Sequence, residues 1–157
     1  MKTKTETDYP YAAAGRVWIV PEYKLAQLPD GSLVVLKAEL DRVHRAIANE
    51  ICGSSERLTV DELDFLCDVT ATTYSELAQV LELNKSTLSR WKRPGSVPST
   101  STSHGIKRWF WMKLFGLELA AVQIPIAVLE NDAGVLAYLH QQAIAEGAAE
   151  SVLRRVA

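Results

Sequence analysis

Thr73-Tyr-Ser-Glu-Leu-Ala-Gln-Val-Leu-Glu-Leu-Asn-Lys-Ser-Thr-Leu-Ser-Arg-Trp91 decides how the middle of this 157-residue chain folds. Its apolar and small residues, Leu77, Ala78, Leu81, Leu83 and Leu88, fall where two short helices packed at a steep angle would bury them. Ala78 is small enough to let the two backbones approach. Leu88 supplies the one buried side chain of the second helix, and Trp91 closes its far end. Asn84 stands just before that helix, where its side-chain oxygen can accept an orphan backbone N–H.

The outward face of the second helix carries Lys85, Ser86, Thr87, Ser89 and Arg90. Hydroxyls and cations without a carboxylate are the chemistry that an exposed recognition helix presents to the major groove of DNA. The stretch therefore reads as a helix-turn-helix. An ordinary amphipathic helix pair would also have caps and leucines, but it explains less well why this polar face lacks acidic groups.

These residues resemble the Cro/phage-repressor class of helix-turn-helix proteins, the XRE class. Ser75-Glu76-Leu77-Ala78 is similar to the x-E-L-A core of that class, and Ser86-Thr87-Leu88-Ser89-Arg90-Trp91 to its recognition helix. Upstream, Leu58-Thr59-Val60-Asp61-Glu62-Leu63-Asp64-Phe65-Leu66 resembles the first helix of the DNA-binding half of MqsA-type antitoxins. The resemblance implies DNA binding, with Tyr74 at the position where the class usually has a phosphate-touching Gln. Glu82 occupies the turn position that usually carries Gly, so a left-handed backbone is expected there on a residue with a Cβ. The zinc domain of MqsA-type antitoxins, with its paired C-x-x-C motifs, has no counterpart here.

The formal net charge is −2, from 17 Lys plus Arg against 19 Asp plus Glu. Distribution matters more than the total for binding phosphate, because affinity follows the local field. Between Leu83 and Leu117 the charged residues are Lys85, Arg90, Lys92, Arg93, Lys107, Arg108 and Lys113, with no Asp or Glu. The segment before it is acidic: Glu56, Asp61, Glu62, Asp64, Asp68, Glu76 and Glu82 against Arg57 alone. The basic block begins at the second helix of the motif.

Cys52 and Cys67 are isolated thiols, expected to be buried small hydrophobes in a cytoplasmic protein. His44, His104 and His140 are scattered, so neither a metal site nor any cofactor is expected. No apolar run is long enough to span a bilayer, and the polar start lacks a signal-peptide core. No phosphate-cradling Gly-rich loop, G-x-S-x-G elbow or clustered carboxylate–His set points to an enzyme.

The fold expected is mainly α with a small N-terminal β-hairpin and a helix-turn-helix DNA-binding domain of the Cro/phage-repressor type. Residues 1–11 read as a flexible tail. Residues 12–55 read as a hairpin plus helix, a module for dimerisation or for a partner. In it Arg16–Val20 and Ser32–Leu36 are β-rich, Pro29-Asp30-Gly31 is a turn signal, and Pro21 suits a sheet edge. A helix follows over Ala38–Cys52. Residues 56–118 form the DNA-binding domain, with Thr59 and Glu62 spaced as a capping box. Lys92–Gly105 reads as a loop. Over Ile106–Phe115 a helix follows whose Ile106, Phe110 and Leu114 should pack under the recognition helix. Residues 119–157 form a C-terminal helical segment, broken at Pro125 and capped at Asn131 or Asp132. Its apolar stripe runs through Val135, Leu136 and Leu139 to Val152 and Val156, and serves either dimerisation or docking onto its own domain.

The function expected is a sequence-specific regulator of transcription, a homodimeric repressor of a palindromic double-stranded operator with helix 84–92 in the major groove. Lys85, Ser86, Thr87, Ser89 and Arg90 would meet base edges. Tyr74, Ser75, Asn84, Lys92, Arg93 and Lys107 would hold phosphates. The alternative is an antitoxin that binds a toxin protein and regulates its own operon.

Overall fold

Ala14 and Gly15 shape the N-terminal third. Both have positive φ, +55° and +75°, which suits a two-residue turn whose twist matches that of the strands it joins. They connect β1 (Lys2–Ala13) to β2 (Arg16–Gln27). The computed structural model describes residues 2–93, 96–116, 132–145, 147 and 154–155. The two strands run antiparallel in one register, from Lys2 opposite Gln27 to Ala13 opposite Arg16. Gly15 is also a point of close approach, since a Cβ there would lie 2.5 Å from Asp61 Oδ2.

Residues 2–11 are thus strand, where the sequence suggested a loose tail. Polar composition misled there: alternating Lys, Thr and Glu can still complete a backbone ladder when a partner strand is adjacent. The hairpin expected between Arg16–Val20 and Ser32–Leu36 is likewise shifted. Pro29-Asp30-Gly31 does turn the chain, with Gly31 at φ +86° and the Ser32 amide donating to Asp30 Oδ1. The strand it delivers, β3 (Leu33–Val34), meets only Ala26 and Gln27 of β2. At its other end β2 pairs with β4 (Arg154–Arg155) through Trp18 and Ile19.

Between those two short partners, the second edge of β2 is covered by side chains of α1 (Lys37–Gly53). Glu39 Oε1 accepts the Lys24 amide at 2.8 Å, and Arg42 Nη2 donates to the Glu22 carbonyl at 2.6 Å. Arg42 also donates to both Glu39 oxygens. That guanidinium, more than the opposing effect of burial, holds the Glu39 carboxyl below its usual pKa. A buried acid is tolerated because it is both paired and hydrogen-bonded.

Thr59 starts α2 (Val60–Val69) with the expected capping box. Thr73 starts α3 (Tyr74–Val80) with a second one, its hydroxyl accepting the Glu76 amide at 3.1 Å. The short α4 (Lys85–Trp91) follows. Next, α5 (Thr100–Phe115) begins six residues earlier than expected. Ser99 accounts for that, because its hydroxyl accepts the Thr102 amide and converts part of the Ser/Thr-rich stretch into a helical first turn. The last described helix is α6 (Asp132–Ala145). Pro125, Val152 and Val156 lie outside the described residues.

One apolar cluster runs through the body, from Trp18, Val20 and Tyr23 through Ile47, Ile51, Leu63, Leu66 and Leu77 to Phe110, Phe115, Val135 and Ala143. The chief neighbours of α5 are α1 and α6. Ile106 and Phe110 are fully buried, but on a helix packed chiefly against α1 and α6, where the sequence suggested packing under α4; Leu114 is only partly buried, and Trp111 and Phe115 are buried with them. Asn49 explains the orientation. Its Oδ1 accepts Trp111 Nε1 at 3.2 Å and its Nδ2 donates to the His140 carbonyl at 3.3 Å, which ties α1, α5 and α6 together. The apolar side of α6 docks onto its own chain through Val135, Leu136, Leu139 and Ala143. The chain is extended at Arg154–Arg155, where the sequence suggested helix. Among the described residues no helix is long and apolar enough to cross a membrane.

Candidate nucleic-acid interface

Leu77 and Ala78 of α3 and Leu88 and Trp91 of α4 are buried, so the two short helices share an apolar seam. The link between them, Leu81 to Asn84, turns through Glu82 at φ +52°. This is the left-handed backbone expected where Gly is usual. The Leu83 amide, bonding to the Ala78 carbonyl at 2.9 Å, closes the end of α3. Burial of one side of α4 leaves the other outside. Lys85, Ser86, Ser89 and Arg90 are exposed, and Thr87 is half-buried at the seam.

Asn84 occupies the residue before α4, but its side chain makes no capping bond. Its carbonyl accepts the Thr87 amide at 3.0 Å instead, and the residue is exposed, as Lys85 and Ser86 are. Between α3 and α4 lies a shallow hollow of about 190 Å³, lined by Tyr74, Ser75, Lys85, Leu88, Ser89 and Lys92. Lys92 and Arg93, both exposed, continue the cationic surface past the end of α4.

Two residues assigned to phosphate sit differently from expectation. The Tyr74 hydroxyl donates to the Asp64 carboxylate on α2. Burial, reinforced by that carboxylate, pushes its pKa well above the usual phenol value. Its ring lies under the Lys92 ammonium, 4.4 Å from the nitrogen. Tyr74 is therefore a platform for Lys92, with its own hydroxyl already engaged.

Lys107 is a plain correction. It is 1 % exposed, and its Nζ donates to the Ser54 carbonyl at 2.6 Å and to the Glu56 carbonyl. The helix that carries it packs on α1, so its side chain serves as an internal strut. The seven-cation block consequently divides. Lys85, Arg90, Lys92 and Arg93 are at the surface of or beside α4. Lys113 donates to Thr72 Oγ1 at 2.7 Å and lies over Trp109, Arg108 is half-buried on α5, and Lys107 is inside.

Sequence reasoning missed Asp64 and Arg57. The guanidinium of Arg57 donates to the Pro98 carbonyl at 2.8 Å and to the Val97 carbonyl at 3.0 Å, anchoring the segment that leads from α4 to α5. Arg57 had one sequence signal, as the lone cation of the acidic stretch. The Tyr74–Asp64 pair had none, because helices joined by a corner bring together residues whose spacing follows no helical period. Both thiols are buried and unpaired, as expected, with Cys52 pushed up to about 12 and Cys67 to about 11 by burial. Among the described residues no group of His, Cys, Asp and Glu is arranged to hold a metal ion. No protein-family model matches the chain, and no characterised protein or solved structure is similar to it.

Proposed function

We propose that this chain is a sequence-specific regulator of transcription that binds duplex DNA as a homodimeric repressor, with α3 and α4 acting as a helix-turn-helix of the Cro/phage-repressor type. The observation that carries the reading is the division of α4. Leu88 and Trp91 anchor it, while Lys85, Ser86, Ser89 and Arg90 form an exposed face free of carboxylates. Such a face matches the donor and acceptor pattern of base edges in a major groove. Ser75, Lys92 and Arg93 flank it at positions suited to phosphates, and Asn84 joins them from the turn. One short recognition helix covers few base pairs, so two copies on a two-fold operator supply the surface a specific complex needs.

Selection of binding sites from a random duplex library tests this, with the affinity of the winning sequence followed across a salt series. A palindromic winner with half-sites about one helical turn apart, and a steep fall of affinity with salt, is the expected result. Each good base contact contributes roughly 1–3 kcal/mol, so Lys85→Ala with Arg90→Ala should weaken that site at least ~30-fold. No enrichment, or an unchanged affinity in the double variant, would overturn the reading and leave the α3–α4 surface to a protein partner.

A further inference from the structure

The outer edge of β1 is the longest strand edge among the described residues that no described strand covers. β1 meets β2 along one side, and no described strand meets the other. The second edge of β2, by contrast, is closed by β3, β4, Glu39 and Arg42. Lys2, Thr3, Lys4, Thr5, Thr7 and Asp8 are all exposed, so neither face of this end of the strand is covered by the described body. An uncovered edge of this length is a template for a further strand unless its side chains repel one.

Those side chains do not repel a copy of themselves. Lys2-Thr-Lys-Thr-Glu-Thr-Asp8 is complementary to its own reverse about Thr5. In an antiparallel pairing centred on that residue, Lys4 opposes the partner's Glu6 and Thr3 opposes the partner's Thr7, while Lys2 reaches the end of the partner's ladder, where Asp8 leaves the regular strand. Charged residues occupy one face and hydroxyls the other, as the two-residue period of a strand requires. Directly opposite side chains are the pairs that stabilise or destabilise a ladder.

The register is selected as well. A slip of two residues one way sets Lys4 against the partner's Lys4, and the other way sets Glu6 against the partner's Glu6. A slip of one residue puts every charge opposite a threonine or off the pattern, and it turns the threonines onto the charged face. The stretch is bounded on its far side by Asp8, whose φ of +48° leaves the regular strand, and by Pro10, which has no N–H to donate. Within one chain Lys4 already holds Glu6 at 2.6 Å. Pairing would extend that contact into a four-charge cluster around the two-fold axis.

We infer that the Lys2–Thr7 edge of β1 is a self-association surface, on which a second copy of this chain adds antiparallel to form one continuous sheet across a two-fold axis at Thr5. The contact is isologous and closes on itself, so it gives a dimer and no fibre. It stands whether or not α4 reads DNA.

Sedimentation velocity on the full chain tests it with two charge variants, Lys2→Glu with Lys4→Glu, and Glu6→Lys with Asp8→Lys. Wild-type chain should sediment with the mass of two copies. Each variant alone should sediment as one copy, with self-association weakened about tenfold or more by like charges at every opposed pair. An equimolar mixture of the two variants should recover the two-copy mass, which also shows that both are folded. Three outcomes would overturn the inference: a wild-type chain that stays single at every concentration, a two-copy species that persists in both variants, or single-copy variants that fail to combine when mixed.

Discussion

Tyr74 on α3 donates its hydroxyl to the carboxylate of Asp64 on α2, and the same ring carries the Lys92 ammonium 4.4 Å from the nitrogen to its centre. An acid, a phenol and a cation are thus stacked beside the exposed face of α4. The arrangement keeps an acidic residue near a surface otherwise suited to phosphate without leaving its carboxylate unpartnered. It also fixes the ring against which Lys92 rests.

Tyr74→Phe separates the ring from the hydroxyl. The variant keeps the platform under Lys92 and loses one hydrogen bond, so it should lower stability by about 1 kcal/mol. DNA affinity should stay within about twofold of wild type, whereas Lys92→Ala should weaken binding to all sequences alike and reduce the salt slope by about one. A large loss of affinity in Tyr74→Phe, measured by fluorescence anisotropy, would show that the hydroxyl itself reaches the DNA.

Lys107→Met tests the strut. Two carbonyls, those of Ser54 and Glu56, lose the cation that satisfies them. Both bonds come from a buried charged donor, and the expected loss is about 3 kcal/mol in urea denaturation. The affinity of the folded fraction for DNA should not change, because the side chain never reaches the surface. A stable variant with weakened DNA binding would reverse this assignment.

Stability should fall as the solution is acidified through the range set by His44. Burial lowers its pKa below the usual 6.5, outweighing the opposite pull of Asp41. A neutral imidazole also suits its partner, since Nε2 can accept the Tyr11 hydroxyl at 2.7 Å. Below pH 6.5 the unfolded chain takes up a proton that the folded chain resists, so stability drops as pH falls until the folded-state value is reached, and then levels. His44→Gln should flatten the dependence of the urea midpoint on pH over that window. An unchanged slope would assign it to other groups.

Glu82→Gly should stabilise the chain by about 0.5–1 kcal/mol, because a residue with a Cβ at φ +52° is strained while glycine is not. Thermal unfolding is the check. A lower melting temperature would mean that the Glu82 side chain makes a stabilising contact that outweighs the backbone strain.

Much of the fold was legible because its signals are local. Thr59 and Glu62 announce the start of α2 three residues apart, the apolar spacing of Leu77, Ala78, Leu88 and Trp91 announces the α3–α4 seam, and Glu82 marks a turn whose backbone is left-handed. Each depends on residues within one or two turns of each other, where period and capping chemistry are written directly. The candidate interface was legible for the same reason: the outward positions of α4 follow from which of its positions are apolar.

What the tertiary structure alone decided is long-range. Strand pairing gave Lys2–Ala13 its conformation, since a polar alternating segment is a strand only when another strand is beside it. Packing of α5 on α1 and α6 turned Lys107 inward, which its place in a basic run concealed, and a corner between helices brought Asp64 to Tyr74. The same packing directed the apolar side of α6 onto its own chain. Sequence by itself determined the local helices and the polar face of α4, because those depend on short-range periodicity. The partners of Lys107, Tyr74 and β1 depend on which elements become neighbours, and that is settled only when the whole core is assembled.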